Sequence, residues 1–174
     1  MNRVGLLRAV NVGGRQVKMA ELREALAEEF GEVKTLLASG NVVLTADADG
    51  ATLEARLEAV FQARFGFVAE FLVRDAADLD AMIGACPFPD EARERPSKLL
   101  VLFHREPPAA DLVARLAEHD GPERAVLVGR ELFIDFPDGQ GVSTIDRTMK
   151  KLKWPKVATG RNWNTVLKLR AMLD

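Results

Sequence analysis

The sequence is poor in the residues from which crosslinks, metal sites and catalytic clusters are built. Its 174 residues include one cysteine, Cys86, and two histidines, His104 and His119. A single cysteine cannot form an intramolecular disulfide or a cysteine-based metal site, which is typical of a protein from a reducing compartment. The histidines lie far apart in the sequence and have no acidic partner at motif spacing. We therefore predict no metal site, no cofactor and no catalytic constellation.

Long apolar runs and tyrosine are also missing. There is no stretch of 18 apolar residues and no signal-peptide pattern at the N-terminus, so we expect a cytoplasmic protein without a membrane span. Without tyrosine or paired aromatic residues on its predicted strands, the chain lacks the stacking platform of RNA-binding sheets. Gly13 and Gly14 have the spacing of neither a P-loop nor a dinucleotide-binding fingerprint.

Acidic residues are absent from one segment, Arg147–Leu173, whose 27 residues include eight Lys or Arg. The net charge is −2 for the whole chain and −10 for the remainder outside this segment. This asymmetry indicates a C-terminal surface that faces an anion or pairs with the acidic remainder. Binding to bulk polyanions is not favoured, because the chain as a whole is acidic. The run Lys150-Lys151-Lys153 fits a solvated helix face.

Hydrophobic periodicity predicts alternating strands and helices. In the first half these are strand Arg3–Val10, helix Met19–Phe30, strands Val33–Ala38 and Val42–Thr45 around a turn at Ser39-Gly40-Asn41, helix Thr52–Phe65 and strand Phe67–Val73. A linking helix over Asp75–Cys86, with Asp75 as its N-cap, leads to a proline-rich boundary at Pro87–Pro96.

The same order recurs in the second half. The predicted elements are strand Lys98–Phe103, helix Ala110–Glu118, strands Arg124–Val128 and Glu131–Phe136, a helix from Ser143 to Leu152, strand Pro155–Thr159 and helix Asn162–Leu173. Two strand-helix-strand-strand-helix-strand units predict an α+β protein with two ferredoxin-like (α-β plait) domains, at 1–86 and 97–174. The repeat is visible in element order only. One continuous α+β sheet is the alternative.

The first candidate site follows from this topology. Right-handed crossovers make strands one and two of such a unit parallel, with strand three between them. The loop after strand one and the hairpin after strand two therefore leave the sheet at the same edge. The predicted ligand-binding residues there are Arg8, Asn11, Gly13, Gly14, Lys18, Ser39, Gly40 and Asn41. Backbone amides and cations at this edge suit an anion. Each feature also has a structural interpretation, as a turn or, for Arg8, as the partner of a structural carboxylate.

A second candidate site lies near the C-terminus, at Arg161, Asn162, Trp163 and Asn164. These residues offer a fixed positive charge, amide hydrogen bonds and a flat aromatic face, which suit an anionic or planar ligand. The alternative is structural: Asn162 caps the last helix, Trp163 packs between domains and Arg161 forms an internal salt bridge.

Three ordered motifs resemble one bacterial family. They are Leu6-Leu7-Arg8-Ala9-Val10-Asn11-Val12-Gly13-Gly14, Ser39-Gly40-Asn41-Val42-Val43 and Arg161-Asn162-Trp163-Asn164-Thr165-Val166. Together with the chain length they look like the family called domain of unknown function 1697. The resemblance implies a pair of ferredoxin-like domains and no established activity, cofactor or catalytic residue. Family members usually have Gly where this chain has Ala9, a change that would slightly crowd a ligand at that loop.

Three functions are consistent with these features. The first is a cytosolic protein that binds an anionic ligand, either a nucleotide or single-stranded nucleic acid, in a cleft between the two halves. The second is a protein-interaction or homodimerisation module that uses the basic C-terminal face. The third is an enzyme acting on a phosphorylated or carboxylated metabolite, with Arg8, Lys18 and Arg161 as charge clamps. The third lacks a visible general base or nucleophile.

Overall fold

The computed structural model describes residues 1–8 and 16–174. In this part of the chain it has two four-stranded antiparallel sheets and seven α-helices, an α+β fold. Two compact units are formed by Met1–Asp80 with Leu169–Asp174 and by Ala81–Lys168. We predicted the whole C-terminal helix in the range 97–174, but its last residues group with the first unit. The Asn2 side chain donates to the Leu173 carbonyl at 3.1 Å there.

The first unit contains one sheet with strand order β2-β3-β1-β4. Its elements are β1 (Asn2–Leu7), α1 (Met19–Phe30), β2 (Val33–Leu36), β3 (Asn41–Thr45), α2 (Gly50–Phe65), β4 (Phe71–Asp75) and α3 (Ala76–Gly84). Asp49 caps α2 by accepting a hydrogen bond from the Thr52 amide at 2.9 Å. Helices α1 and α2 bury Leu26 and Phe61 against one face of the sheet, which contributes Val42, Phe71 and Val73 to the same core.

The second unit contains the other sheet, with strand order β6-β7-β5-β8. Its elements are α4 (Pro89–Glu94), β5 (Leu99–His104), α5 (Ala110–Ala117), β6 (Arg124–Val128), β7 (Glu131–Asp135), α6 (Ile145–Lys151), β8 (Ala158–Asn162) and α7 (Trp163–Ala171). Leu116 of α5 and Met149 of α6 pack against Leu132 and Ile134 of β7 in its core. As in the first unit, both crossover helices cover one face of the sheet.

Several predicted boundaries were wrong, and hydrogen-bond register explains the largest errors. Strand β4 begins at Phe71 instead of Phe67, because it is Phe71 that pairs with Leu7 at the end of β1. Strand β8 runs over Ala158–Asn162 instead of Pro155–Thr159. A polar Thr-Gly-Arg-Asn sequence does not look like a strand, yet these residues pair with the apolar strand β5. Sequence periodicity therefore misplaced the bounds of two strands that end in arginine and a capping residue.

Other predicted boundaries shifted by smaller steps. The first strand ends at Leu7, and residues predicted to extend it to Val10 lie partly outside the described residues. Strand β2 ends at Leu36, followed by a four-residue turn at 37–40, so Asn41 is the first residue of β3 instead of the last residue of the turn. Helix α6 begins at Ile145, and the Ser143 hydroxyl accepts a hydrogen bond from the Ile145 amide at 3.1 Å. The proline-rich boundary contains helix α4.

The two units repeat at the level of single residues, which the sequence did not reveal. Arg74 on β4 lies opposite Val4 of β1, and Arg161 on β8 lies opposite Val101 of β5. Both arginines are buried, and each donates from Nη1 to the carbonyl of the preceding residue at 2.8 Å. This correspondence corrects our expectation that the repeat is confined to element order.

The same correspondence continues on either side of the two arginines. The amide of Arg8, just after β1, donates to the Glu70 carbonyl at 2.9 Å, and that of Arg105, just after β5, donates to the Val157 carbonyl at 3.3 Å. The residue after each buried arginine caps the next helix. Asp75 accepts from the Asp78 amide at 2.8 Å, and Asn162 accepts from the Thr165 amide at 3.0 Å. The predicted N-cap at Asp75 is confirmed.

Removing either cap is expected to destabilise the protein. Asn162→Ala should lower the free energy of unfolding by about 1 kcal/mol, since it leaves a first-turn amide of α7 unpaired. Asp75→Ala should cost more, because the same carboxylate also pairs with Arg3 at 2.8 Å. Urea unfolding followed by circular dichroism measures both losses. Asn162→Asp is the control, because aspartate caps as well as asparagine. Equal losses for Asn162→Asp and Asn162→Ala would contradict the capping role.

Candidate anion-binding site

The end of β1 meets the hairpin between β2 and β3, as the topology predicted. Leu6 pairs with Asn41, and the Leu7 amide donates to the Gly40 carbonyl at 2.8 Å. The turn at 37–40, which includes Ser39, therefore lies next to the end of β1, directly before Arg8. On its other side, the Arg8 backbone bonds to Glu70, just before β4. The end of β1 and the hairpin thus meet at one edge of the sheet, whereas the loop after β1 that we predicted there lies largely outside the described residues.

Arg8 forms an ion pair at this edge. Its Nη1 lies 3.1 Å from Oε2 of Glu70, and the two side chains are 29% and 28% exposed. The structural interpretation of Arg8, pairing with a carboxylate, is therefore realised. The sequence did not reveal Glu70 as this partner, because no sequence pattern shows which carboxylate the pairing of strands brings close to Arg8. The described bond uses one of the five donors of the guanidinium, and such a partly exposed pair contributes only about 0–1 kcal/mol.

Asn41 holds the hairpin turn in shape. Its side chain is fully buried and donates to the Leu36 carbonyl at 2.7 Å and to the Ser39 hydroxyl at 3.0 Å. Gly40 has φ 83°, a left-handed backbone that glycine adopts without strain. Ser39 itself is exposed. The amide and the glycine therefore shape the turn, and the serine is the part of the predicted Ser-Gly-Asn motif that is open to solvent.

The remaining residues of the first candidate site divide into two groups. Asn11, Gly13 and Gly14 lie outside the described residues. Lys18 is exposed and precedes α1, where its side chain makes no capping hydrogen bond. Lys18 thus lies at the positive end of a helix, where its charge adds to the local potential that an anion experiences.

The second candidate site is built mainly into the fold. Asn162 caps α7, and Trp163 is 5% exposed with its ring centroid 6.0 Å from that of Phe133. Arg161 lies within β8 and donates from Nη1 to the Thr159 hydroxyl at 2.8 Å. Asn164 is exposed. The flat face of Trp163 is thus covered in this structure, and of the four residues Asn164 is the one presented to solvent.

Burial also changes the acidity of Arg161. Desolvation of its guanidinium lowers the pKa to about 10, because a low-dielectric environment disfavours the charged form. The group is still a cation at neutral pH. The positive charge that made this segment stand out in the sequence therefore lies partly inside the protein. In contrast, the side chains of Lys150, Lys151 and Lys153 are exposed, as expected for a solvated helix face.

A histidine network that the sequence analysis dismissed joins three segments of the second unit. His119, just after α5, has Nδ1 2.8 Å from the Thr148 hydroxyl and Nε2 3.1 Å from Glu123 Oε2. The spacing of His119 and Glu123 is i, i+4, a signal that could have been noticed. A Cβ at Gly121 would overlap the Glu123 carboxylate and lie 2.6 Å from His119 Nε2. The side chains of His119 and Glu123 are 5% exposed, so this hydroxyl-imidazole-carboxylate chain ties α5 to α6 and is closed to a substrate.

His104 forms a second buried network. Its Nε2 accepts a hydrogen bond from Trp154 Nε1 at 2.9 Å, and its Nδ1 lies 2.9 Å from the Arg130 carbonyl. Because an indole N–H can only donate, Nε2 must carry a lone pair and Nδ1 the proton. The imidazole is therefore neutral, and it joins β5, the β6–β7 turn and the segment after α6.

The described part of the chain contains no cluster of three or more His, Cys, Asp or Glu side chains arranged for a metal ion. None of its helices combines the length and the apolar character needed to cross a bilayer.

Comparisons with known proteins find a matching family and a similar solved structure. A family model described as protein of unknown function (DUF1697) matches residues 1–133. Among solved structures, the chain is similar to the conserved bacterial protein SP0830 from Streptococcus pneumoniae, with a TM-score of 0.79 and 25% sequence identity, over 99% of this chain and 97% of that one. No curated protein matches. The family match includes Arg8 and the β2–β3 turn and ends before Arg161.

The Glu123 network makes stability depend on pH in a defined direction. Burial raises the pKa of Glu123, but hydrogen bonds from Ser143, from its own backbone and from His119 outweigh it, so the pKa lies below 4.5. A carboxylate whose pKa is lowered by folding stabilises the protein above its unfolded pKa and loses this contribution as the pH falls through the folded value. We expect Glu123→Gln to flatten the fall of the urea midpoint between about pH 5 and pH 3. Parallel pH profiles for the variant and the wild type would show that the network contributes nothing.

The hydrogen bond between Trp154 and His104 is expected to contribute more to stability than the small ring volume that Trp154→Phe removes. Trp154→Phe keeps most of the ring but leaves His104 Nε2 buried without this donor, at a cost of about 1–3 kcal/mol. Trp163→Phe is the matched control, because it removes a similar indole that contacts Phe133. Urea unfolding gives both free energies, and ¹⁵N spectra of the imidazole identify the protonated nitrogen. A spectrum with the proton on Nε2 would contradict the assigned tautomer.

Proposed function

We propose that this chain, which belongs to the DUF1697 family, binds a small phosphate-bearing ligand at the edge formed by Arg8 and the β2–β3 turn. The observation that carries the proposal is the position of Arg8. Its side chain, 29% exposed, follows the end of the central strand β1, whose Leu7 amide bonds to Gly40, the neighbour of the exposed Ser39. A guanidinium and a hydroxyl are complementary to phosphate oxygens.

Charge favours a small ligand over a long nucleic acid. The chain has a net charge of −2, and Glu70 lies directly against Arg8. An extended polyanion would meet this overall negative field along its length, whereas one phosphate group needs only the local cation. A nucleotide is therefore the preferred ligand class, and a single-stranded nucleic acid is the outcome that the binding experiment distinguishes from it.

We further propose that each unit is a ferredoxin-like α-β plait. Strand orders β2-β3-β1-β4 and β6-β7-β5-β8 support this, since each places the third strand between the first and second. Such a unit presents the end of its first strand and its central hairpin at one edge. The fold thus supplies two rigid backbone segments on which a ligand can be held.

Binding is expected to depend on Arg8. Arg8→Ala should weaken pyrophosphate and ATP binding by about tenfold or more, because a hydrogen bond to a charged group contributes about 1.5–3 kcal/mol. Glu70→Gln should strengthen binding, since it removes the carboxylate that competes for the same guanidinium. Isothermal titration calorimetry at low ionic strength measures both changes.

The control for this experiment is Arg23→Ala, which removes an exposed arginine on α1 and should leave affinity unchanged. A twelve-nucleotide single strand serves as a third ligand. The proposal is wrong if the wild type binds neither pyrophosphate nor ATP at millimolar concentration, or if Arg8→Ala binds both as the wild type does. Tight binding of the single strand alone would replace the nucleotide with nucleic acid as ligand.

A further inference from the structure

Leu37 has a backbone conformation that does not suit its side chain. It is the first residue of the β2–β3 turn and has φ 61°, in the left-handed region. Among the described residues other than glycine, it shares a positive φ with Lys153. A Cβ is crowded by the backbone in this region, and a bulky side chain is an outlier there, whereas glycine and asparagine are accommodated. Local conformation therefore does not account for a leucine at this position.

Burial does not account for it either. Leu37 is 52% exposed, and the next residue, Ala38, is also exposed. A leucine in the core would repay backbone strain through the apolar surface it removes from water. Here, about half of the side chain stays in contact with solvent. Neither the backbone conformation nor the burial at position 37 therefore favours a leucine.

The surroundings hold Leu37 in this conformation. The buried Asn41 amide bonds to the Leu36 carbonyl directly before it, and the Leu7 amide bonds to the Gly40 carbonyl at the other end of the turn. Strained residues persist only where neighbouring contacts fix the backbone, and they concentrate at binding sites. The turn is therefore fixed by hydrogen bonds at both ends while it displays an apolar side chain.

The location of this side chain suggests what it contacts. The Leu7 amide bonds to the last residue of the turn, Gly40, so the turn with its hydroxyl and exposed apolar group lies at the edge of the sheet where β1 ends and Arg8 follows. A nucleotide has matching parts, a charged phosphate and a planar base with an apolar face. Trp163, the aromatic residue that the sequence offered for stacking, is covered. We propose that Leu37 packs against the base of a nucleotide whose phosphates bind Arg8, an inference that rests on the proposed function.

Leu37→Gly tests this proposal, because it removes both the backbone strain and the apolar contact. Loss of the strain should stabilise the protein, whereas loss of the contact should weaken ATP binding. The variant should keep or raise the urea midpoint, since glycine relieves the left-handed strain. It should also weaken ATP binding by about fivefold, the effect of losing roughly half of a leucine's apolar burial. Pyrophosphate binding, which involves no base, should stay unchanged. A residue that only shapes the turn would show the reverse, a lower midpoint and equal losses for both ligands.

Two further variants separate the effect of the backbone strain at Leu37 from the effect of its apolar contact. Leu37→Ala keeps the strained backbone and removes most of the contact, so it should weaken ATP binding without gaining stability. Val68→Ala removes another exposed apolar side chain of the first unit and should change neither quantity. Equal ATP affinity for Leu37→Gly and the wild type overturns the role of Leu37 and leaves the proposed function standing if pyrophosphate still depends on Arg8. A wild type that binds neither ligand overturns both.

Discussion

The register of the first strand in each unit is the constraint on which the rest of the structure depends. Strand β1 is paired on both sides, so its position determines where β3 and β4 begin. Once Leu7 bonds to Gly40 and Arg8 to Glu70, the hairpin and the start of β4 must lie together at one edge. Shifting β1 by one residue would turn every side chain of the strand to the opposite face and separate these contacts. The candidate site is thus a consequence of strand pairing.

The same register explains why the basic C-terminal segment is less of a binding surface than its charge suggests. Pairing of β8 with β5 carries Arg161 into the sheet, where burial lowers its pKa, and leaves Asn162 at the point where a helix must be capped. Arg74 and Asp75 occupy the equivalent places in the first unit. In both units, the fourth strand therefore ends with a buried arginine followed by a residue that caps the next helix. What looked like a ligand motif in the sequence is also a structural motif of the fold.

Sequence patterns predicted the parts of this protein in which local and tertiary preferences agree. Helices α1 and α2 were found because their apolar residues recur at helical spacing, and the meeting of the end of β1 with the β2–β3 turn followed from crossover handedness. Strand β8 was misplaced because its polar residues are stabilised by pairing with β5. Leu37 could not be found at all, since leucine gives no sign of a left-handed backbone. Each of these errors arose because contacts between residues that are distant in the sequence determine the structure at that point.

The edge of the first unit shows how buried and exposed residues differ within one motif. Asn41 and Gly40 are buried, and their described hydrogen bonds go to the protein itself. Arg8, Ser39 and Leu37 remain partly or largely open to solvent because those buried residues hold the turn in place. The most recognisable residues of this motif are therefore the ones that shape the turn. In the proposed function, their less distinctive neighbours supply the charge, the hydroxyl and the apolar surface for a nucleotide.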